Sequence, residues 1–178
     1  LSIRRQRQMC IRDRGRPQQP SYRTMVWVTL EQAYTGDEQT LQLQVGSTLH
    51  TVKISTPQGV DNGQTMRYDD LIKDSILIVE FRIKPHPKFE RHGNDLVSVQ
   101  EVSVLDMIVG GEFKFTTISG KELDVKVNPK SKPDSQLRIQ GEGMISGFGK
   151  GDQYILLKPV IPDTIDTRII DAITQSKQ

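Results

Sequence analysis

The strongest constraint on this chain is that it repeats itself. Val28-Thr-Leu-Glu-Gln-Ala-Tyr-Thr-Gly36 returns further along as Val102-Ser-Val-Leu-Asp-Met-Ile-Val-Gly110. In each copy a hydroxyl residue, Thr29 or Ser103, stands three positions before Gln32 or Asp106; apolar residues follow and a glycine closes the segment. Those are the marks of one short helix with a capped start and a glycine stop. Downstream, Val52-Lys-Ile54, Pro57 and Met66-Arg67 are echoed by Val125-Lys-Val127, Pro129 and Leu137-Arg138, and Ile76 to Pro87 by Tyr154 to Pro162. The body is therefore two tandem copies of one unit, residues 24–96 and 97–162. Units of that size bury little core alone, so they are predicted to pack end to end through a short rigid connection.

Within each copy the side chains alternate with period two, as in Leu41-Gln-Leu-Gln-Val45, Ile76-Leu-Ile-Val-Glu-Phe-Arg-Ile83, Phe113-Lys-Phe115, Leu123-Asp-Val-Lys-Val127 and Leu137-Arg-Ile139. Period two puts alternate residues on opposite faces of a half-buried strand. Clusters of Gly, Pro, Asn and Asp separate the strands at Gly46-Ser47, 57–63, Ser119-Gly120, 129–135 and 141–151. The predicted fold is mainly β: two small β-sandwich domains in tandem, antiparallel, each with one short helix. Only residues 163–178 change period. Ile165, Ile169, Ile170 and Ile173 share one face of a short C-terminal helix, with Asp163 as its predicted N-cap. Such a face needs a partner, either the second unit or a second chain.

Charge and composition exclude several functions. Residues 1–24 hold seven arginines against Asp13, while the remaining 17 basic and 21 acidic groups leave the body at −4. A pI near 8.7 thus reflects a basic tail on an acidic body, and no specific nucleic-acid binding is expected. Residues 1–23 are read as a disordered tail. Within it, Gln8-Met-Cys-Ile-Arg-Asp-Arg14 resembles translated library-adapter sequence, so the tail is set aside as an assembly scar and the native N-terminal part is expected upstream. No apolar run approaches the roughly 20 residues of a membrane crossing. One cysteine, Cys10, and three scattered histidines offer neither a disulfide nor a metal set.

Two segments look chemical and are better read as structure. His86, His92 and Asp95 lie together in His86-Pro-Lys-Phe-Glu-Arg-His-Gly-Asn-Asp-Leu96, but no nucleophile accompanies them. As a connector the same residues make sense: Pro85 and Pro87 fix extended backbone, Phe89 plugs an interface and Gly93 permits a turn. The glycine-rich stretch 141–152 lacks the Gly-Lys-Ser/Thr ending of a phosphate loop and precedes strand-like residues rather than a helix. No enzyme is indicated.

The connector fits the pattern H-x-x-F-x-R-x-G-x-D-L of the DnaJ family of co-chaperones at His86, Phe89, Arg91, Gly93, Asp95 and Leu96. Its flanks resemble the same family: Val28 to Gly36 is similar to the opening of its first C-terminal domain. Gly59-Val-Asp-Asn-Gly63 resembles a turn of that domain, and Gly141-Glu-Gly-Met144 with Gly151-Asp152 resembles motifs of the second. The chain has no Cys-x-x-Cys-x-Gly-x-Gly repeats, which aligns it with the zinc-free, class B-like type. His86-Pro87 is followed by Lys88, so there is no His-Pro-Asp tripeptide and no J-domain, and the chain is not expected to trigger ATP hydrolysis itself. The family's glycine-rich loop is shortened here to Arg67-Tyr-Asp-Asp-Leu-Ile-Lys-Asp-Ser75.

The resemblance implies a cytoplasmic chaperone region that binds unfolded polypeptide clients for a DnaK-type ATPase, without catalysis, cofactor or metal. It implies an apolar client groove at Val26, Leu41, Leu43 and Val79, and a homodimer formed through Ile165, Ile169, Ile170 and Ile173. In relatives, lysines on the strand after the first helix take the ATPase's acidic tail. Here that segment is Asp37-Glu-Gln-Thr-Leu41, with Lys53 the nearest cation in sequence, so weak tail binding is expected. The alternative is a structural β-sandwich or scaffold protein that has reused the fold.

Overall fold

The computed structural model describes residues 20–45, 48–72, 75–147 and 149–176. Residues 1–19 of the basic tail, the Gly46-Ser47 turn and Lys73-Asp74 of the shortened loop lie outside the described residues.

The chain forms β1 (Ser21–Val28), α1 (Leu30–Thr35), β2 (Asp37–Val45), β3 (Thr48–Thr56), β4 (Thr65–Ile72) and β5 (Ser75–Ile83). It continues as β6 (Glu90–His92), β7 (Asp95–Ser103), α2 (Val104–Val109), β8 (Gly111–Thr116), β9 (Glu122–Val127), β10 (Gln136–Ile139), β11 (Ile145–Ser146), β12 (Gly149–Lys150), β13 (Gln153–Val160) and α3 (Thr167–Gln175). In the first unit β1-β5-β4 form a sheet and β2-β3 a hairpin; in the second, β10-β13-β7-β6 form a sheet and β8-β9 a hairpin. The sequence echo is thus structural, with β1, α1, β2, β3, β4 and β5 answered by β7, α2, β8, β9, β10 and β13.

The expectation of antiparallel pairing is corrected at one place in each unit. β1 runs parallel to β5, from Ser21↔Ile76 to Val28↔Ile83, and β7 runs parallel to β13, from Leu96↔Gln153 to Ser103↔Val160. Parallel neighbours need a long crossover, and here the crossover is the helix and hairpin between them. Alternation then sets the core. Val26, Val28, Val52, Ile54, Leu77, Val79 and Phe81 are buried in the first unit, and Leu96, Val102, Phe115, Val127, Ile155 and Leu157 in the second.

The helices are short because their ends are fixed by side chains. Thr29 accepts from the Gln32 N–H at 3.2 Å while Gln32 Oε1 accepts from the Thr29 N–H at 2.9 Å, a reciprocal capping box, worth about 1 kcal/mol. Ser103 accepts instead from Leu105 N at 3.2 Å. Gly36 and Gly110 end the two helices at φ +73° and +92°, where a side chain would be strained. The C-terminal helix starts later than expected. Asp166, rather than Asp163, caps it by accepting from Arg168 N at 2.9 Å. Asp166 is also held by the Arg168 guanidinium, and Ile165 stays half-buried ahead of the helix.

Candidate functional site

Three places in the molecule hold the sequence-derived candidates: the inner surface of the first unit, the connector, and the face of α3.

On the inner surface, Val26 and Val79 are 4% and 0% exposed and belong to the core. Leu41 and Leu43 are half-buried and pack against that core from the hairpin. They share a face of β2, across from Val52 and His50 of β3. The accessible apolar surface therefore comes from Leu41 and Leu43, with Tyr22, Met66 and Tyr68 also partly buried against the same core. β1 pairs with β5 on one side, and among the described residues no strand pairs with its other edge. The strand's solvent face carries Met25 and Trp27, both about half exposed.

The connector accounts for each residue of its pattern. His86 Nδ1 accepts from the backbone N–H groups of Lys88 and Phe89 at 3.1 and 3.0 Å, which bends the chain after Pro87. Its Nε2 lies 2.9 Å from Glu31 of α1. Partial burial works against ionisation of Glu31, yet its own backbone N–H, the Thr29 hydroxyl and His86 together hold its carboxyl below the usual range. Phe89 is buried, stacks on His86 at 5.1 Å and meets the edge of Phe115 at 6.1 Å, an aromatic pair worth ~1 kcal/mol beyond its area.

Arg91 binds the two units together. It lies on β6, a strand of the second sheet, paired with Leu96. Its guanidinium donates to the first unit's Val60 and Gly59 carbonyls at 2.6 and 3.1 Å and to the Asp61 carboxylate, while Nε donates to Gly93 O at 2.7 Å. Only a planar five-donor group serves so many oxygens at once. Gly93 takes φ +63° at the β6–β7 turn. Asp95 accepts from Asp152 N at 2.8 Å, and Leu96 is core. Asp152 in turn accepts from Gly141 N at 2.8 Å and from Arg138 Nε at 2.8 Å; these two donors hold its carboxyl below the ordinary range. A cleft of about 710 Å³ lies over this joint, lined among others by Leu30, Ile83, His86, Phe89 and Arg91.

Sequence reasoning passed over Lys88, which occupies an unspecified position of the pattern. Its ammonium donates to Thr116 O at 2.8 Å and lies 4.2 Å from the centre of the Phe115 ring and 5.2 Å from that of Phe89. Burial pushes its pKa down. It also passed over Gly59 as a contact: a Cβ there would collide with the Ile145 carbonyl oxygen of the second unit. Neither has a local sequence signal, because both depend on what the other unit brings alongside.

On α3, Ile169, Ile170 and Ile173 are 36%, 49% and 47% exposed, and no side chain of the helix is buried. Among the described residues the connector histidines have no nucleophile beside them: His86 Nε2 faces Glu31 and His92 lies 3.3 Å from Glu90. Among the described residues no three potential ligands converge on a metal position, and no helix is long and apolar enough to cross a membrane.

Comparison with known proteins adds an independent line. The DnaJ C terminal domain family matches residues 22–162. The Chaperone protein DnaJ of Leptospira biflexa is 30% identical over 127 residues, covering 66% of this chain and 34% of that protein. That of Limosilactobacillus fermentum is 28% identical over 139 residues, covering 70% and 34%. The Chaperone protein DnaJ 2 of Thermus thermophilus is 29% identical over 144 residues, covering 78% and 49%. The chain thus spans between about a third and a half of the length of these curated relatives.

Proposed function

The chain belongs to the DnaJ C-terminal domain family, and from that membership we propose that its first unit holds non-native polypeptide for delivery to a DnaK-type ATPase. One observation carries the reading: Leu41 and Leu43 form an apolar strip left half-exposed, in the same unit whose β1 has an outer edge that no other described strand occupies. An extended client segment would gain main-chain pairing from such an edge and side-chain burial from the strip, a mode tolerant of sequence. Val26 and Val79 belong to the core against which the strip packs. No bond is made or broken in this role, and no cofactor takes part.

We further propose that α3 dimerises the chain through Ile169, Ile170 and Ile173, with Ile165 at its base. Two grooves on one dimer would engage a single client with raised effective concentration. Suppression of aggregation of a heat-unfolded client tests the main reading. A structural sandwich protein would give no protection, whereas a client-holding unit gives protection that Leu41→Ser and Leu43→Ser abolish. For the dimer, sedimentation at high micromolar concentration must show a species heavier than the 20.2 kDa monomer.

A further inference from the structure

The second unit has the same inner surface as the first, and there it is already filled. Aligning the two copies with Val28 on Val102 sets Phe115 at the position of Leu41, each the fifth residue after its helix-ending glycine, and sets β7 at the position of β1. In the second unit the connector lies along β7 as β6, antiparallel, with Glu90↔Val97, Arg91↔Leu96 and His92↔Asp95. One step further along that register Phe89 comes level with Ser98 and packs its ring on Phe115, while Lys88 reaches the end of β8 through Thr116 O. The connector therefore bridges β7 and β8, and Phe115 is left 1% exposed. In the first unit the equivalent strands are β1 and β2, and the equivalent side chain, Leu41, stays half-exposed.

We propose that the connector is the chain's own copy of the ligand that its first unit accepts: an extended, basic segment with an aromatic anchor, laid antiparallel along the free edge of β1. Transferred by the same alignment, the anchor stands level with Thr24 and covers Leu41, and the second residue after it stands level with Tyr22. β2, the strand that carries Leu41, opens with the exposed Asp37 and Glu38 and has no cation along Asp37–Val45, and Arg23 is the single basic residue of β1; Lys88-Phe-Glu-Arg91 in the second unit carries two cations and one anion. Opposite charge across such a contact favours association. The positions that this alignment matches to Phe89, Glu90, Arg91 and His92 hold Gly15-Arg-Pro-Gln18. They supply no apolar anchor and place a proline, which has no N–H for a ladder, where Arg91 would pair. Those four residues do not supply the occupant, which the client-holding reading assigns to another polypeptide; the inference deepens that reading, on which it rests.

The test uses the intact chain and a fluorescent peptide of the connector sequence, Pro85 to Gly93, read by anisotropy and by amide hydrogen exchange. Saturable binding with slowed exchange at residues 22–24 is expected. Replacing the peptide's phenylalanine by alanine should weaken binding about tenfold or more, as loss of a buried ring does. Replacing both its cations by glutamate should weaken it most at low salt. In the protein, Leu41→Phe installs the second unit's own side chain and should exclude the peptide, and Leu41→Ser should weaken its binding more than it speeds the exchange of core amides. Protection on β2 or β7 instead of β1, or indifference to the phenylalanine, would overturn the inference. If the chain still suppresses client aggregation in that event, client holding survives and only the β1-edge mode falls; if it does not, both fall.

Discussion

The two units share a plan and differ in what they do with their inner surface. In the first, the hairpin strands are nine residues long and Leu41 and Leu43 stay half-buried. In the second, the strands are six residues long, and the position of Leu41 is taken by Phe115 under Phe89 and Lys88. The same apolar position stays half-exposed in one copy and is buried for cohesion in the other. On the proposed role, a duplicated fold separates binding from stability without changing its topology, by closing one copy with the chain that joins them.

Substitutions at the paired positions sharpen that contrast most. Phe115→Ala should cost about 3–5 kcal/mol, as removal of a buried aromatic side chain does, and should be read as a large drop in the denaturant midpoint. Its counterparts Leu41→Ser and Leu43→Ser should cost about 1 kcal/mol each, because a half-exposed leucine buries less, and should lose client protection instead. Equal destabilisation at both positions would erase the distinction between an open and a closed copy.

The joint comes next in size. Arg91→Gln leaves the Gly59 and Val60 carbonyls without their charged donor and should cost about 2–3 kcal/mol. Arg91→Lys should recover little of that, since an ammonium has no fork. Thermal unfolding should change from one transition toward two, as each unit melts on its own. A single transition at an unchanged midpoint would show that the units do not depend on this residue.

Acid should produce a smaller loosening of the same joint. The Asp152 and Glu31 carboxyls have folded pKa values below their ordinary 3.8 and 4.5. Groups depressed in this way stabilise the fold above their unfolded pKa, and that contribution is lost as pH falls through the folded value. Stability should hold down to about pH 5 and decline below it. Asp152→Asn should flatten the part of the decline due to that group, as measured by denaturant midpoints across pH.

The smallest effect is an expected near-absence. An acidic DnaK-type tail peptide would meet Asp37 and Glu38 at the start of β2, so calorimetry at low salt should detect weak binding or none. Low-micromolar affinity would show that cations elsewhere, Lys53 first, replace the missing lysines.

Much of this was legible in the chain. The repeat, the alternating strands, both capped helices and the connector pattern can be read directly, because each is set by neighbours a few residues apart. What was not legible depends on distant contacts. Nothing local tells β1 to run parallel to β5, because that choice is made by how the helix and hairpin cross over. Asp163 and Asp166 are equally good caps in sequence; in the fold Asp166 takes the role, with Ile165 half-buried just ahead of it. Val26 and Leu41 both read as apolar strand residues, and only packing buries the one and leaves the other half-exposed. Lys88 acquires its place from two aromatic rings, of which Phe89 is its neighbour in sequence and Phe115 arrives only with the fold.

The parallel pairing of first and last strands has a consequence for how the protein is made. Ser21 pairs with Ile76, at the opposite end of the first unit's sequence. At ~5–20 residues per second, β1 therefore waits roughly 3–11 s on the ribosome for its neighbour. During that interval its whole edge is exposed, and the nascent first unit presents more sticky strand than the finished one does. The second unit is spared half of this exposure: β6 emerges just ahead of β7 and can pair with it across a tight turn as soon as both leave the exit tunnel. The chain thus has a vulnerable moment of its own, and it falls on the copy to which the proposed client-holding role is assigned.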